Sequence, residues 1–459
     1  MFSRNAIKYL DRWLDKKRRK PLILRGTRQV GKSTLVRLFA KSANLSLREI
    51  NLEKHLVLDD IFKTLDMEII IRELEALVRN PINVPGTLLF LDEIQATPHA
   101  LQALRYFYEE YPDLPVITAG SLLEFTLADH LFSMPVGRVE YYHLYPLTFR
   151  EFLAVIEPTL LPYLDTLSPL SDAIPLAAHQ HLLQRLRDYF FVGGLPEAVQ
   201  SFYEDQSLLE ASAVHRSIVS TYQDDFSKYA KQNDLLLIQK IFNYIPRALG
   251  QKTKYTNISQ DNRSAQVKRG ISLLTKARIC HQIKHSHCSG IPLAAESSDT
   301  VYKLIFMDIG LANHICGIDW RTMAAFDNRQ LVNEGGIAEQ FIGQHLIDIS
   351  EGLAQPSLHY WLREKKSANA EVDYAIAAGG RILPVEVKAG TSGSLKSLQQ
   401  FSFSKNTKLA IRFDLNPVSL QQVEHTIRTA TGNQQVNFTL LSLPLYGVQE
   451  LERIIVNDL

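Results

Sequence analysis

The chain has 459 residues, 46% of them hydrophobic, 22% charged and 9% aromatic, with a formal net charge of +1. At about 100–200 residues per domain that length calls for roughly three domains of ordinary globular composition. No run reaches the ~18 apolar residues of a membrane span, Met1 to Leu14 lacks the apolar core of a secretory signal, and three cysteines (Cys280, Cys288, Cys316) cannot build a disulfide framework. A cytosolic (cytoplasmic) protein with no membrane partner is expected.

Charge is unevenly spread. Residues 1–40 carry twelve Lys/Arg against two Asp, and Ile245 to His285 carries nine against one. Such blocks can meet a phosphate backbone even in a neutral protein, or can be solvated helix faces.

The first third alternates short aliphatic runs (21–25, 87–91 and 114–119) with helical patterns, which predicts a parallel sheet covered on both faces. Gly26-Thr27-Arg28-Gln29-Val30-Gly31-Lys32-Ser33 fits G-x-x-x-x-G-K-[ST] between an apolar strand and a helix that Thr34 opens. The glycines let such a loop fold around phosphates, the helix N-terminus adds its positive end, Lys32 is placed to reach the β- and γ-phosphates, and Ser33 to bind Mg²⁺. ATP and Mg²⁺ are therefore the expected cofactors. The apolar run 87–91 ends in Asp92-Glu93, expected on a neighbouring strand, with Asp92 for the metal and Glu93 to polarise the attacking water. Ala119-Gly120-Ser121 closes the next strand, where Ser121 could sit beside the γ-phosphate or simply make a turn. Arg138 is the candidate arginine finger toward a neighbouring subunit in a homo-oligomer, with a structural salt bridge as the equal alternative.

From Phe149 to about Ala230 the pattern is helical. Residues 254–274 predict helix, turn, helix, with Ser264 as N-cap and Val267, Ile271 and Leu274 at helical spacing. Lys268 and Arg269 flank that stripe, as expected if the second helix meets double-stranded DNA, or if it packs between domains with its lysines solvated. Cys280, His281, His285, His287 and Cys288 crowd together without the distant second pair of a zinc site, so this stretch reads as one edge of a hairpin.

Residues 371–377 and 382–388 form a predicted hairpin about Gly379-Gly380. Centred there, the turn places Asp373 opposite Glu386 and Glu371 opposite Lys388. Facing carboxylates repel unless something neutralises them, and Mg²⁺ is a natural neutraliser. A Glu371–Lys388 ion pair at a relic site is the alternative.

Several strings resemble one bacterial and archaeal family: residues 25–35, 89–95, 119–121, 137–138, 145–152 (TyrProLeuThrPheArgGluPhe), 193–196 (GlyGlyLeuPro), 304–311 (LeuIlePheMetAspIleGlyLeu), 371–374 and 384–388. That family joins an AAA-superfamily ATPase to a C-terminal domain of unknown function with a restriction-endonuclease-like, PD-(D/E)xK, fold. Its loop usually has Thr at the positions of Val30 and often of Ser33, and neither departure removes a ligand. The resemblance implies an α/β multidomain protein: a P-loop AAA-type ATPase core with an additional strand (1–150), a helical lid (151–230), a winged-helix module (231–325) and a nuclease-like domain (326–459). It also implies that Asp373 and Glu386 hold a metal ion, that Lys388 positions or activates water, and that Glu339 is the acidic residue of the domain's first helix. The expected function is Mg²⁺-dependent ATP hydrolysis that gates contact with DNA. The rivals are a nucleotide-dependent scaffold for protein partners and a defence-type nuclease gated by ATP.

Overall fold

The computed structural model describes the chain except residues 1, 3, 121–136, 172, 230–231, 319–334, 349–356, 365–368, 392 and 430–431, with the side chains of 227–229, 232–233 and 428–429 also outside the description. The chain forms two units. The first holds residues 1–146 and 276–279 of the described chain, and the second most of the remainder.

In the first unit, β1 (Leu22–Arg25), β2 (Ser46–Asn51), β3 (Thr87–Asp92), β4 (Val116–Ala119) and β5 (Glu140–His143) make a parallel sheet in the order β2-β3-β4-β1-β5. β3 and β4 are buried at every position, as strands covered on both faces must be, which explains their unbroken apolar runs. Ile23, Leu89 and Leu91 pack with Ile70 and Leu74 of the helix Met67–Val78 and with Leu101, Leu104 and Phe107 of the helix Pro98–Glu110. The acid-bearing strand β3 is not the neighbour of β1, as the sequence alone suggested. β4 lies between them, in the place of an additional strand.

The N-terminal helix Ala6–Leu14 buries Tyr9, Leu10 and Trp13. Ahead of it, Arg4 donates to the carbonyls of Val30 at 3.1 Å and Tyr145 at 2.6 Å, tying the N-terminus to the glycine loop. Part of the first basic block is used up within this unit. Lys16 pairs with Glu140 at 2.6 Å, Arg37 with Glu49 at 2.6 Å, and Arg19 donates to the backbone of Leu14 and Asp113.

The second unit combines helices with an eight-stranded sheet. Its strands are β6 (Cys280–Ser286), β7 (Ser297–Phe306), β8 (Leu358–Arg363), β9 (Ala370–Ala378), β10 (Arg381–Val387), β11 (Leu409–Asp414), β12 (Ser419–Thr429) and β13 (Gly432–Pro444). The order is β12-β13-β11-β10-β9-β8-β6-β7. The hairpin expected at the end of the middle module is present as β6 and β7, but β6 is not an edge. It pairs with β8 on its other side, so both strands extend the C-terminal sheet.

Two of the strings noted in the sequence have a local physical reason. Thr148 and Glu151 make reciprocal side-chain bonds at the start of the helix Phe149–Ile156, a capping box that satisfies two helix-end N–H groups. Asp308, fully buried, accepts N–H bonds from Gly194 at 2.7 Å and from Leu311 at 2.9 Å, the latter capping the helix Ile309–Ile315. Gly193 has φ +71° and lies so close that a Cβ there would run into the Asp308 carboxylate, while a Cβ on Gly194 would strike the Leu147 backbone. The glycine pair and the aspartate are thus one docking device.

Burial pushes the Asp308 carboxyl up to about 6, against the lowering effect of its N–H bonds. A raised carboxyl contributes stability that is full below its unfolded pKa of about 4 and is lost as pH rises through about 6. Asp308→Asn should remove that slope and lower stability by about 1–3 kcal/mol, since one buried N–H loses its acceptor. Urea unfolding of both proteins across this pH range checks it.

Candidate functional site

The glycine loop leaves β1 at Gly26, whose φ of +145° and closeness to the Leu144 carbonyl leave no room for a side chain. Gln29 (φ +62°) and Gly31 (φ +89°) turn the loop through left-handed conformations into the helix Lys32–Ser42. Thr27 and Val30 are buried, Arg28 is half-buried, and Gln29 and Thr34 face solvent. Lys32, nearly buried, donates to the carbonyls of Gly26 and Thr27, both at 2.9 Å.

Ser33 Oγ donates to Asp92 Oδ2 at 2.7 Å, so the loop and the end of β3 meet at one hydroxyl–carboxylate bond. Burial raises the Asp92 carboxyl above its ordinary range, and the Ser33 bond partly opposes this. Asp92 Oδ1 accepts the Glu93 N–H at 3.0 Å. Glu93 takes a left-handed φ of +53°, and its Oε2 accepts from Gln95 Nε2 at 2.5 Å. Gln95 escaped the sequence reading as a site residue, although it closes the AspGluIleGln string. Ser33 and Asp92 are hard oxygen donors set side by side, a donor set that suits Mg²⁺. Ser121 lies outside the described residues. Arg138 is 45% exposed and pairs with Glu109 at 2.9 Å, so within this unit it makes the salt bridge held open beside the finger role.

In the second unit the expected acids do gather. The β9–β10 ladder pairs Ala378 with Arg381 through Tyr374 with Val385, the register required by a Gly379-Gly380 turn. Asp373 Oδ2 accepts the Val387 N–H at 2.8 Å. Glu386 is 5% exposed; its Oε1 receives Lys388 Nζ at 2.5 Å, and its Oε2 is buried with no hydrogen-bond partner. Glu371 and Lys388 lie beyond the β9–β10 ladder, which ends at Tyr374 and Val385, and their side chains are engaged elsewhere: Glu371 pairs with Lys303, and Lys388 with Glu386.

The cation of the cluster is instead Lys303 of β7, which is 1% exposed. Its ammonium pairs with Glu371, lies 3.2 Å from Glu339 and 3.9 Å from Asp373, and stands 5.2 Å from the Tyr360 ring centre. Burial opposes its charge, but Glu339, Asp373 and Glu371 outweigh burial and hold the ammonium above its ordinary range. Burial, then the charge of Asp373, pushes Glu339 up to about 8 and Glu386 up to about 7. Among the described residues no three His, Cys, Asp or Glu side chains form a ready metal cage. Asp373 and Glu386, with one buried oxygen unpartnered, still suit a hard cation that keeps most of its water. A lysine among apolar neighbours in TyrLysLeuIlePhe (302–306) was the available signal for Lys303.

The second basic block is partly neutralised where it stands. Arg269 pairs with Asp234 at 2.9 Å, Lys252 with Glu364 at 2.9 Å and Lys284 with Asp299 at 2.6 Å, while Lys268 is exposed. The helices Tyr255–Ile258 and Ser264–Lys276 form, with Val267, Ile271 and Leu274 buried. Ser264, however, is the first helical residue rather than its cap, and the Arg263 carbonyl accepts the first helical N–H bond. In the Cys/His stretch, burial pushes the thiols of Cys280 and Cys288 up to about 12 and about 11, far from thiolate.

The parallel sheet, glycine loop and Ser33–Asp92 pair form the arrangement of a P-loop nucleotide-binding domain. Residues 18–153 match the family described as AAA domain, residues 183–322 a domain of unknown function (DUF8612), and residues 334–441 another (DUF4143). Among curated proteins none matches the chain. Among solved structures the chain is similar to the Aeropyrum pernix Orc1 protein in complex with DNA, at 14% identity and a TM-score of 0.26, over 68% of this chain and 91% of that one. A likeness that slight carries no argument. No helix among the described residues is long and apolar enough to cross a membrane.

Lys32→Ala removes the ammonium expected to meet the phosphates, and charge-assisted bonds contribute about 1.5–3 kcal/mol, so the ATP dissociation constant should rise by about ten- to 150-fold. Glu93→Gln should bind ATP normally yet lose turnover, because the amide is near-isosteric but no base. Calorimetric binding beside a phosphate-release assay separates the two; wild-type turnover in Glu93→Gln refutes the catalytic assignment.

Proposed function

We propose that this protein is a cytosolic, Mg²⁺-dependent ATPase whose nucleotide cycle gates contact with double-stranded DNA, coupled to a C-terminal nuclease-like domain. The Ser33–Asp92 bond carries the ATPase part, because it joins the phosphate loop to the acid strand with Glu93 next in sequence. In this reading Lys32 contacts the β- and γ-phosphates, residues 26–34 wrap the nucleotide, Ser33 and Asp92 hold Mg²⁺, and Glu93 polarises the attacking water. Mg²⁺ would supply charge neutralisation between the phosphates. Arg138 would leave Glu109 to act on a neighbouring subunit of a homo-oligomer, and Ser121 would face the γ-phosphate. A 1–150 core, 151–230 lid, 231–325 winged-helix module and 326–459 nuclease-like domain remain the proposed division.

The nuclease-like reading is supported by the hairpin register and by the gathering of Glu339, Asp373, Glu386 and Lys388 in one unit. Asp373 and Glu386 would hold one hard cation, whose chemistry is to polarise a phosphodiester oxygen and a water. Lys388, bonded to Glu386, would orient that water. One observation favours the scaffold reading instead: three of the nine basic residues proposed for DNA already have acidic partners.

ATP hydrolysis measured with and without duplex DNA, alongside nicking of the same DNA, tests the reading. Stimulation by DNA supports gating, whereas no binding at low salt favours the scaffold. If the helix Ser264–Lys276 touches the DNA backbone, Lys268→Ala with Arg269→Ala should weaken binding to unrelated sequences alike. It should also flatten the log affinity against log salt slope by about one unit per lost contact. Fluorescence anisotropy across a salt series reads both; an unchanged slope moves the contact elsewhere.

A further inference from the structure

We propose that Lys303 is a built-in cation of the acidic cluster, occupying the second position of a two-metal site, so that the cluster takes a single divalent ion between Asp373 and Glu386. The inference rests on the nuclease-like reading of that site and adds how many ions it takes and which residue sets the number.

Two-metal phosphodiester sites hold their ions about 3.5–4 Å apart, shared by a carboxylate between them. Asp373 is the shared acid here. On one side it is near Glu386, whose Oε2 is buried and unpartnered, the oxygen that calls for a ligand. On the other side, 3.9 Å from Asp373 Oδ1, stands the Lys303 ammonium, touching Glu339 and Glu371 as well. Those two acids would be the remaining ligands of a second ion, and the lysine already neutralises them.

The lysine is also hard to displace. Its side chain is 1% exposed, it comes from β7 rather than from a loop, and the Tyr360 ring lies over its ammonium. Removing one partner of a buried charge group leaves the others uncompensated, which is strongly unfavourable. A second metal ion could enter only by displacing the Lys303 ammonium from Glu339, Glu371 and Asp373. Lys388 does not duplicate this role, since it bonds Glu386 Oε1 and leaves Oε2 open.

Mn²⁺ alone serves as the probe, counted by the EPR signal of the free ion in titrations of the full-length chain. An Asp92→Asn background removes the nucleotide-site carboxylate from the count. The unsubstituted cluster should bind about one equivalent, abolished by Glu386→Gln, and Lys303→Met should bind about two, with a larger Mn²⁺-dependent rise in Tm. Where Lys303→Met fails to fold without metal, Lys303→Gln, which keeps a donor toward Glu339 but no charge, gives the same reading. Two equivalents with Lys303 intact, or one in both Lys303 variants, overturns the proposal and leaves the metal site standing. No Mn²⁺ bound in any variant overturns both.

Discussion

A carboxylate taken out of water must be met by hydrogen-bond donors or by a cation, and each centre of this protein is arranged around that requirement. Asp92 is met by the Ser33 hydroxyl and the Glu93 N–H, which is what brings the phosphate loop to the end of β3. Asp308 is met by backbone N–H groups, which is what docks the glycine pair 193–194 against the helix Ile309–Ile315. Glu339, Glu371 and Asp373 are met by Lys303. Glu386 is met on one oxygen alone. That graded satisfaction separates structural acids from acids available to a ligand: Asp308 has its donors, and Glu386 has an oxygen to spare.

Local chemistry was legible in the sequence and long-range chemistry was not. The glycine loop could be read because positive φ at Gly31 and close approach at Gly26 impose residue types at fixed spacing. The β9–β10 register followed from a two-residue turn, which leaves little freedom in the pairing. Lys303 lies far in sequence from all three of its acids, and nothing local in β7 says where its ammonium goes. The same limit explains β6: alternation identified a strand, but its second neighbour, β8, lies some seventy residues on. The expected Glu371–Lys388 pair fails for the same reason: the β9–β10 ladder ends at Tyr374 and Val385, and beyond it each charge takes a different partner, Lys303 for Glu371 and Glu386 for Lys388.

Charge counts are a limited guide for a related reason. Nine basic residues against one acid describes a segment, not a surface, and Asp234, Asp299 and Glu364 come from outside or beyond it to pair with three of them. Exposed pairs of this kind contribute little stability, typically under about 1 kcal/mol, and are screened by salt. They can be exchanged for phosphate at small cost, so the pairing of Arg269 does not by itself exclude the proposed DNA contact. Lys268, exposed beside it, is the stronger candidate.

The same exchange logic governs the nucleotide loop. Lys32 already donates to two loop carbonyls, Ser33 to Asp92 and Gln95 to Glu93. ATP and Mg²⁺ would therefore replace bonds rather than add them, and the gain is the difference between a phosphate and a carbonyl as acceptor for an ammonium, not the whole of a salt bridge. For Glu93 the consequence is sharper. Its Oε2 is held by Gln95, so the proposed role in polarising water would require that bond to open or shift. Gln95 follows Glu93 by two residues on the same turn, and Gly120 at the end of β4 is packed against it. A shift at the end of β4 would reach Glu93 through one side chain, so in the proposed ATPase the strand between the loop and the acid would have a direct mechanical hold on the glutamate assigned to the attacking water.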